Sequence, residues 1–289
     1  MSTFRSSNVG SPSSRDYVPS IVFADMDGTF LTTSKDVLPQ SYEALDLLAV
    51  RHVPFVPCTG RPVSAVPSAV LRHPATTYVV GSNGSVVYDM TQHQNVLVVG
   101  MDKERILALY ERVRGLRATF DVFADGEVYA ERARYEAMGS YGIDAPSLEV
   151  LRRVRKPVDL TVPQLVQRAR AVEKITCFWC NESDRHAIQK AIEEVGGFYS
   201  AHGHPKNFEL QRQGTNKGSA LMWLCEHLGL RASDAVAFGD ELNDVPMLEA
   251  AGDGVAMGNA VPEVLAAANH VAPTNDEAGV ARYLMSLSW

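Results

Sequence analysis

The sequence predicts an α/β fold in which a parallel sheet covered by helices is interrupted by an inserted α+β unit. Three observations carry this. From Ser20 onward, short apolar β-branched runs alternate with helical patterns. The rhythm breaks after the turn-rich Gly81, Ser82, Asn83, Gly84. It resumes with an apolar helical face that opens at Lys217.

Taken in order, Ile21 to Ala24 reads as a buried first strand. A helix follows with Pro39 in its first turn and Tyr42, Leu45, Leu48 and Ala49 on one face. Val53 to Pro57 is the next strand, its ends made irregular by Pro54 and Pro57. A helix after Pro62 and the strand Tyr78 to Val80 complete a third unit. Hairpins are then expected from Val86 to Tyr88 with Val96 to Val99, and from Val122 to Ala124 with Val128 to Ala130 across Asp125 and Gly126. Helices over Lys103 to Arg114 and Asp184 to Val195 accompany them. After the break come a helix from Lys217 to Leu228, the strand Ala235 to Phe238, a helix through Met247 and Ala250, and the strand Gly254 to Met257. Asn275 supplies a cap signal for a last helix carrying Val280, Tyr283 and Leu284, with Asp276 and Glu277 in its first turn. The expected division is therefore a disordered tail over residues 1–19, a core over 20–85 and 205–289, and an inserted unit over 86–204.

Length and composition agree with this plan. A chain of 289 residues exceeds the usual single compact domain, and 46% hydrophobic with 21% charged residues is ordinary for a globular protein. A formal net charge of -7 disfavours nucleic acid as a partner. The run Arg152, Arg153, Arg155, Lys156 reads as a solvated face. Cys58, Cys177, Cys180 and Cys225 are too few and too scattered for a disulfide framework, which points to a reducing compartment. Cys177 and Cys180 form a CxxC, but on an expected strand their side chains face opposite sides. No apolar run reaches transmembrane length and the first nineteen residues lack a secretory apolar segment, so a cytoplasmic protein without membrane partners is expected.

Four segments stand at the carboxyl ends of core strands or at helix starts, the edge where open α/β sheets bind ligands. Asp25, Met26, Asp27, Gly28, Thr29 follows the first strand, and Gly28 lets the chain turn with two carboxylates over one site. Close carboxylates repel, and a divalent cation such as Mg²⁺ in an all-oxygen site relieves that; the same segment also suits an Asx turn. Cys58, Thr59, Gly60, Arg61, Pro62 offers a hydroxyl and backbone N–H groups to a phosphoryl oxygen, or a helix cap. Lys217 opens a helix against the dipole, which an anionic partner would explain. Gly239, Asp240, Glu241, Leu242, Asn243, Asp244 offers carboxylates on one side of a strand-to-helix turn with Asn243 free for a ligand oxygen, and equally suits helix capping.

Together these segments resemble the four signature motifs of the haloacid dehalogenase superfamily, nearest its Cof-type phosphatase branch. The similarity extends to Ser82, Asn83 and Gly84, to Phe208 to Leu210, to Gly258, Asn259 and Ala260, and to Asn275 to Ala281, with Phe30 where a Leu is common. The resemblance implies a Rossmann-like core with an inserted α/β cap and a Mg²⁺-dependent phosphatase of small phosphorylated metabolites acting through an aspartyl-phosphate. It implies Asp25 as nucleophile and Asp27 as general acid/base. Thr59, Gly60, Lys217 and Asn243 would bind the phosphoryl group. Asp25, Asp240 and the backbone carbonyl of Asp27 would hold the metal, with Asp244 supporting that site or Lys217. A phosphomutase shares these positions, and a non-catalytic phosphometabolite sensor could share the scaffold. Arg132, Arg134, His202, His204, Lys206 and Asn207 are polar candidates for substrate contacts in or near the inserted unit. Substrate identity and oligomeric state are not legible in the sequence.

Overall fold

A computed structural model describes residues 18–202 and 204–289. The tail expected over residues 1–19 lies outside the described residues apart from Val18 and Pro19. The described chain forms two sheets. The first has eight strands in the order His270–Val271, Asp253–Ala256, Ala235–Gly239, Ile21–Asp25, Phe55–Cys58, Tyr78–Gly81, Val86–Asp89 and Gln94–Val98. The first six run parallel and the last two are added by antiparallel pairing, a Rossmann-like arrangement with an antiparallel edge.

Strand alternation divides the first sheet between two apolar layers. Val22, Ala24, Phe55, Val236 and Phe238 face the helices Pro39–Val50 and Gly279–Met285. Ile21, Phe23, Val56, Ala235 and Ala237 face Lys217–His227, Val245–Ala250 and Pro262–Ala267. Leu45 and Leu48 are fully buried, worth roughly 1.5–3 kcal/mol each. Burial on both faces explains why the central strands read as continuous apolar runs. Where Lys217–His227 crosses Val245–Ala250, a Cβ on Gly218 would stand 2.1 Å from the Pro246 carbonyl oxygen. The bare glycine lets the two helices touch, and Lys217 is thereby set beside Asp244.

The second sheet has six strands in the order Phe198–Ala201, Asn207–Arg212, Val172–Phe178, Asp121–Ala124, Glu127–Glu131 and Arg155–Val158. Helices Lys103–Val113, Val162–Arg168 and Glu182–Val195 cover the face bearing Val122, Ile175, Cys177, Phe208 and Leu210. The other face carries Phe123, Lys174, Thr176, Phe178, Asn207 and Glu209 and looks into a cavity shared with the first sheet.

Several details depart from the sequence reading. The pair Val86–Asp89 and Gln94–Val98, expected in the inserted unit, extends the first sheet, whereas Asn207–Arg212, expected in the core, belongs to the second. The apolar residues of Val86–Asp89 and Gln94–Val98 and the alternation of Asn207–Arg212 suit either sheet, so pairing partners decided. The helix expected after Pro62 is a 3₁₀ turn, Val63–Ala65, and one helical turn, Ser68–Leu71. Pro67 removes a donor and holds Val66 extended at ψ 138°. Arg155 is not on a solvated face: it is buried and paired with Asp121 at 2.8 Å. The cap expected at Asn275 falls one residue earlier, where Thr274 forms a capping box with Glu277. Asn275 instead donates to the Leu31 carbonyl, and the helix proper is Gly279–Met285. The turn Asp125–Gly126 has φ of 53° and 82°, the left-handed pair that a two-residue hairpin requires.

Candidate active site

Asp25 ends the central strand and Lys217 opens its helix behind an Asn216–Ser219 capping box. The fully buried Lys217 ammonium donates to Asp25 Oδ1 and to Asp244 Oδ1, each at 2.6 Å. Burial alone would lower this ammonium's pKa, but Asp244 and Asp25 outweigh it and hold the group well above the ordinary lysine range. The lysine expected to need an anionic partner at the helix start has two, both from the protein.

Asp244 uses its second oxygen to accept from the N–H groups of Asp240 and Glu241 at 3.0 and 3.1 Å, which closes the turn after Ala235–Gly239. Asp240 is thereby turned toward Thr29, whose hydroxyl donates to it at 2.6 Å. One oxygen from each of Asp25, Asp240 and Asp244 lies within 4.8 Å of the others, an arrangement able to hold a metal ion. Burial, then Asp244, pushes Asp240 up to about 7. Burial also raises Asp25 well above the carboxylate range, against the pull of Lys217 and with added repulsion from Asp244, Asp240 and Asp27. Three carboxylates facing one ammonium leave a negative excess, and hard oxygen donors in that excess fit a divalent cation.

Gly28 makes this approach possible. Its φ is +89°, and a Cβ there would stand 2.3 Å from Asp240 Oδ2. Asn259 donates to the Gly28 carbonyl at 2.8 Å and accepts from the Asn275 N–H at 2.9 Å, while Asn275 holds the Leu31 carbonyl at 3.0 Å. The loop after Asp25 is thus pinned from the far end of the chain.

The side chain of Asp27 points elsewhere. It takes Lys35 at 2.9 Å and Arg61 at 2.5 Å at the mouth of the cavity, outside the carboxylate cluster. Thr59 and Gly60 line the same cavity, as does Asn243, which donates to Asn83 Oδ1 at 3.2 Å. The cavity encloses about 580 Å³ between the strand ends of the first sheet and the polar face of the second. Among the residues expected to contact substrate, His204 and Asn207 line it. Arg132 pairs with Asp159, Arg134 with Glu131, His202 with the Asn207 carbonyl, and Lys206 with the Tyr141 carbonyl.

Sequence reasoning gave no role to Arg61, Lys35, Thr29, Lys174 or Glu209. Arg61 and Thr29 sit inside the quoted motifs and were visible there. Lys35 lies on a connecting loop, Glu209 sits inside the quoted stretch Phe208 to Leu210, and Lys174 lies on an apolar strand of the second sheet, where only the alternation of charged with apolar residues marks it.

A family model described as haloacid dehalogenase-like hydrolase matches residues 22–284. The chain is 26% identical over 275 residues to a putative phosphatase, YxeH, of Bacillus subtilis, covering 92% of this chain and 97% of that protein. It is 29% identical over 271 residues to the pyridoxal phosphate phosphatase YbhA of Escherichia coli, covering 92% and 97%. A solved haloacid dehalogenase-like hydrolase from B. subtilis superposes with a TM-score of 0.78 at 26% identity, covering 93% of this chain and 100% of that one. The chain belongs to the haloacid dehalogenase-like hydrolase family, in its Cof-type branch, and is an enzyme.

Proposed function

We propose that this haloacid dehalogenase-like hydrolase is a Mg²⁺-dependent phosphatase that hydrolyses small phosphorylated metabolites through an aspartyl-phosphate at Asp25. The observation that carries the reading is Lys217, which holds Asp25 and Asp244 at 2.6 Å beside Asp240, with Asp25 lining a metabolite-sized cavity. Asp25 attacks phosphorus in line, its new O–P bond forming as the bond to the leaving oxygen breaks. Asp27 gives that oxygen its proton and then takes one from the water that attacks phosphorus and frees orthophosphate. Asp27 must release Arg61 or Lys35 to reach the leaving oxygen, so substrate entry and rearrangement at the cavity mouth go together.

Lys217, the Thr59 hydroxyl, the Gly60 N–H and Asn243 bind the phosphoryl oxygens, and Asp244 keeps Lys217 in place. Asp25, Asp240 and the Asp27 carbonyl are the proposed holders of Mg²⁺, which when bound neutralises charge on the phosphoryl oxygens. The second sheet with its helices acts as a cap that supplies leaving-group contacts. Its sheet membership supports boundaries near Val99 and Gln213 for that cap. Sugar phosphates and related monoesters suit its mixture of Arg155, Thr176, Asn207 and Phe178. Four unpaired cysteines support a cytoplasmic setting. No helix among the described residues is long and apolar enough to cross a membrane.

The test is orthophosphate release from a panel of phosphate monoesters with Mg²⁺, with EDTA, and with Asp25→Asn. Release that needs the metal and is lost in the variant is expected. Interconversion of isomeric monophosphates without release would turn the assignment to a phosphomutase, and no turnover of any kind would sink the enzymatic reading.

A further inference from the structure

One buried ion pair of the second sheet reaches the loops of the first that carry Gly60 and Asn83. Lys174 is almost wholly buried, pairs with Glu209 Oε1 at 3.2 Å and donates to the Gly60 carbonyl. Glu209 Oε2 accepts from the Asn83 carboxamide, and Asn83 Oδ1 accepts in turn from Asn243 at 3.2 Å. Asn207 adds a bond to Glu209 Oε1 at 3.3 Å, and the Phe123 ring lies 4.2 Å from the Lys174 nitrogen. The four groups from Lys174 to Asn243 thus form one continuous buried chain of hydrogen bonds across the cavity.

Two details show that this chain shapes the first sheet's loops. Asn83 is left-handed at φ 54°, ψ 37°, a conformation that costs a non-glycine residue energy and so needs holding. Its N–H is bound to the Thr59 carbonyl at 3.0 Å while both ends of its side chain are engaged. Gly60 is packed directly against the chain: a Cβ there would meet Asn83 Oδ1 at 2.9 Å, Glu209 Oε2 at 3.3 Å and Lys174 Nζ at 3.4 Å. A buried ion pair costs desolvation that an apolar pair would avoid, so closing the sheet face does not explain it. Directional contacts to Gly60 and Asn83 do, because charged groups hold their hydrogen-bond partners in place more firmly than neutral ones.

We propose that Glu209, oriented by Lys174, is a positioning residue for phosphate binding: through Asn83 it aims the Asn243 carboxamide, and with Lys174 it fixes the Thr59–Gly60 loop. The phosphate site is then complete only while the second sheet is docked on the first. This rests on the phosphatase reading above.

The experiment compares Glu209→Gln, Asn83→Gly, their double variant and Ser85→Ala. Asn83→Gly keeps the left-handed backbone accessible and removes only the carboxamide. Ser85→Ala removes another buried bond between the sheets, from the Ser85 hydroxyl to the Glu173 carbonyl at 2.7 Å, and does not touch the chain of contacts. The readouts are kcat and KM in the substrate panel, the affinity for inorganic phosphate with Mg²⁺ by calorimetry, and the melting temperature. Loss of a charge-assisted hydrogen bond predicts a fall of roughly 10- to 100-fold in kcat and in phosphate affinity for each single variant. The double variant should fall no further than about threefold below the weaker single, because both act through one carboxamide. Ser85→Ala should keep both quantities. Unchanged phosphate affinity in Glu209→Gln, or losses that multiply in the double variant, would overturn the proposal. If Glu209→Gln does not fold, Asn83→Gly decides: retained phosphate affinity refutes the relay, and lost affinity at an unchanged melting temperature supports it. If the wild-type protein hydrolyses nothing but phosphate affinity follows the predicted pattern, the relay stands and the phosphatase reading fails.

Discussion

Replacing Lys217 by Met keeps the length of the side chain and removes its charge, leaving Asp25, Asp240 and Asp244 within 4.8 Å of one another with no ammonium between them. At an effective dielectric constant of about 20, one contact at 2.6 Å is worth roughly 6 kcal/mol before desolvation is subtracted. The variant need not lose all of that, because a carboxylate can take up a proton instead. One extra proton on an aspartate of ordinary unfolded pKa, about 3.9, costs about 4 kcal/mol at pH 7 and about 1.5 kcal/mol at pH 5. The ceiling at pH 7 agrees with the 3–5 kcal/mol, roughly, seen when one partner of a buried pair is removed. Lys217 itself, held above its usual range, gives stability present below its unfolded pKa and lost only at higher pH, so the wild-type pairing on its side is constant between pH 5 and 7. Urea unfolding in EDTA, followed by tryptophan fluorescence, should show a loss near 4 kcal/mol at pH 7 that shrinks toward pH 5. A loss independent of pH, or one under about 1 kcal/mol at pH 7, would refute the view that this lysine offsets mutual carboxylate repulsion.

Asp240 is held up to about 7 by burial and by Asp244, so below that pH a cation must displace its proton. Without metal the raised group favours folding at low pH and loses that contribution as pH rises toward 7; Mg²⁺ bound as proposed would reverse the loss. The gain in melting temperature on adding Mg²⁺ should therefore be larger at pH 8 than at pH 6, as calorimetry at the two pH values will check. Gly28→Ala places a Cβ 2.3 Å from Asp240 Oδ2 at a φ of +89°, and should cost about 1–3 kcal/mol in stability and at least tenfold, roughly, in Mg²⁺ affinity by titration. Asn275→Ala leaves the buried Leu31 carbonyl without its 3.0 Å donor and should lower stability by about 1–3 kcal/mol in denaturant unfolding, with phosphate release falling as the Gly28 loop loosens.

The parallel sheet and the strand-end motifs were legible in the sequence because the physics that makes them is local. Ile21 to Ala24 buries both faces, so its apolar run cannot alternate, and the acidic residues after it mark the chain's exit from the core. Pairing was not local. Nothing in the apolar pattern of Val86–Asp89 or Asn207–Arg212 states which of two sheets each will join. Charges on the second sheet were the least legible part. Arg155 looked like one member of a basic run and is a buried partner of Asp121, because its neighbour across the strands, not its neighbours in sequence, sets its environment. Lys174 and Glu209 meet each other and Gly60 across more than thirty residues of intervening chain, which no spacing rule captures.

The central claim is that Asp25 carries the phosphoryl group, and it is tested most directly by trapping that adduct. In Asp27→Asn the second half-reaction lacks its base, so a substrate whose leaving oxygen departs without an acid, such as an aryl phosphate, should leave phosphate on the peptide holding Asp25 after an acid quench. Mass spectrometry should find one phosphoryl group there and none in Asp25→Asn, which should also be inactive. Turnover that persists in Asp25→Asn, with no adduct on that peptide in Asp27→Asn, would contradict the account.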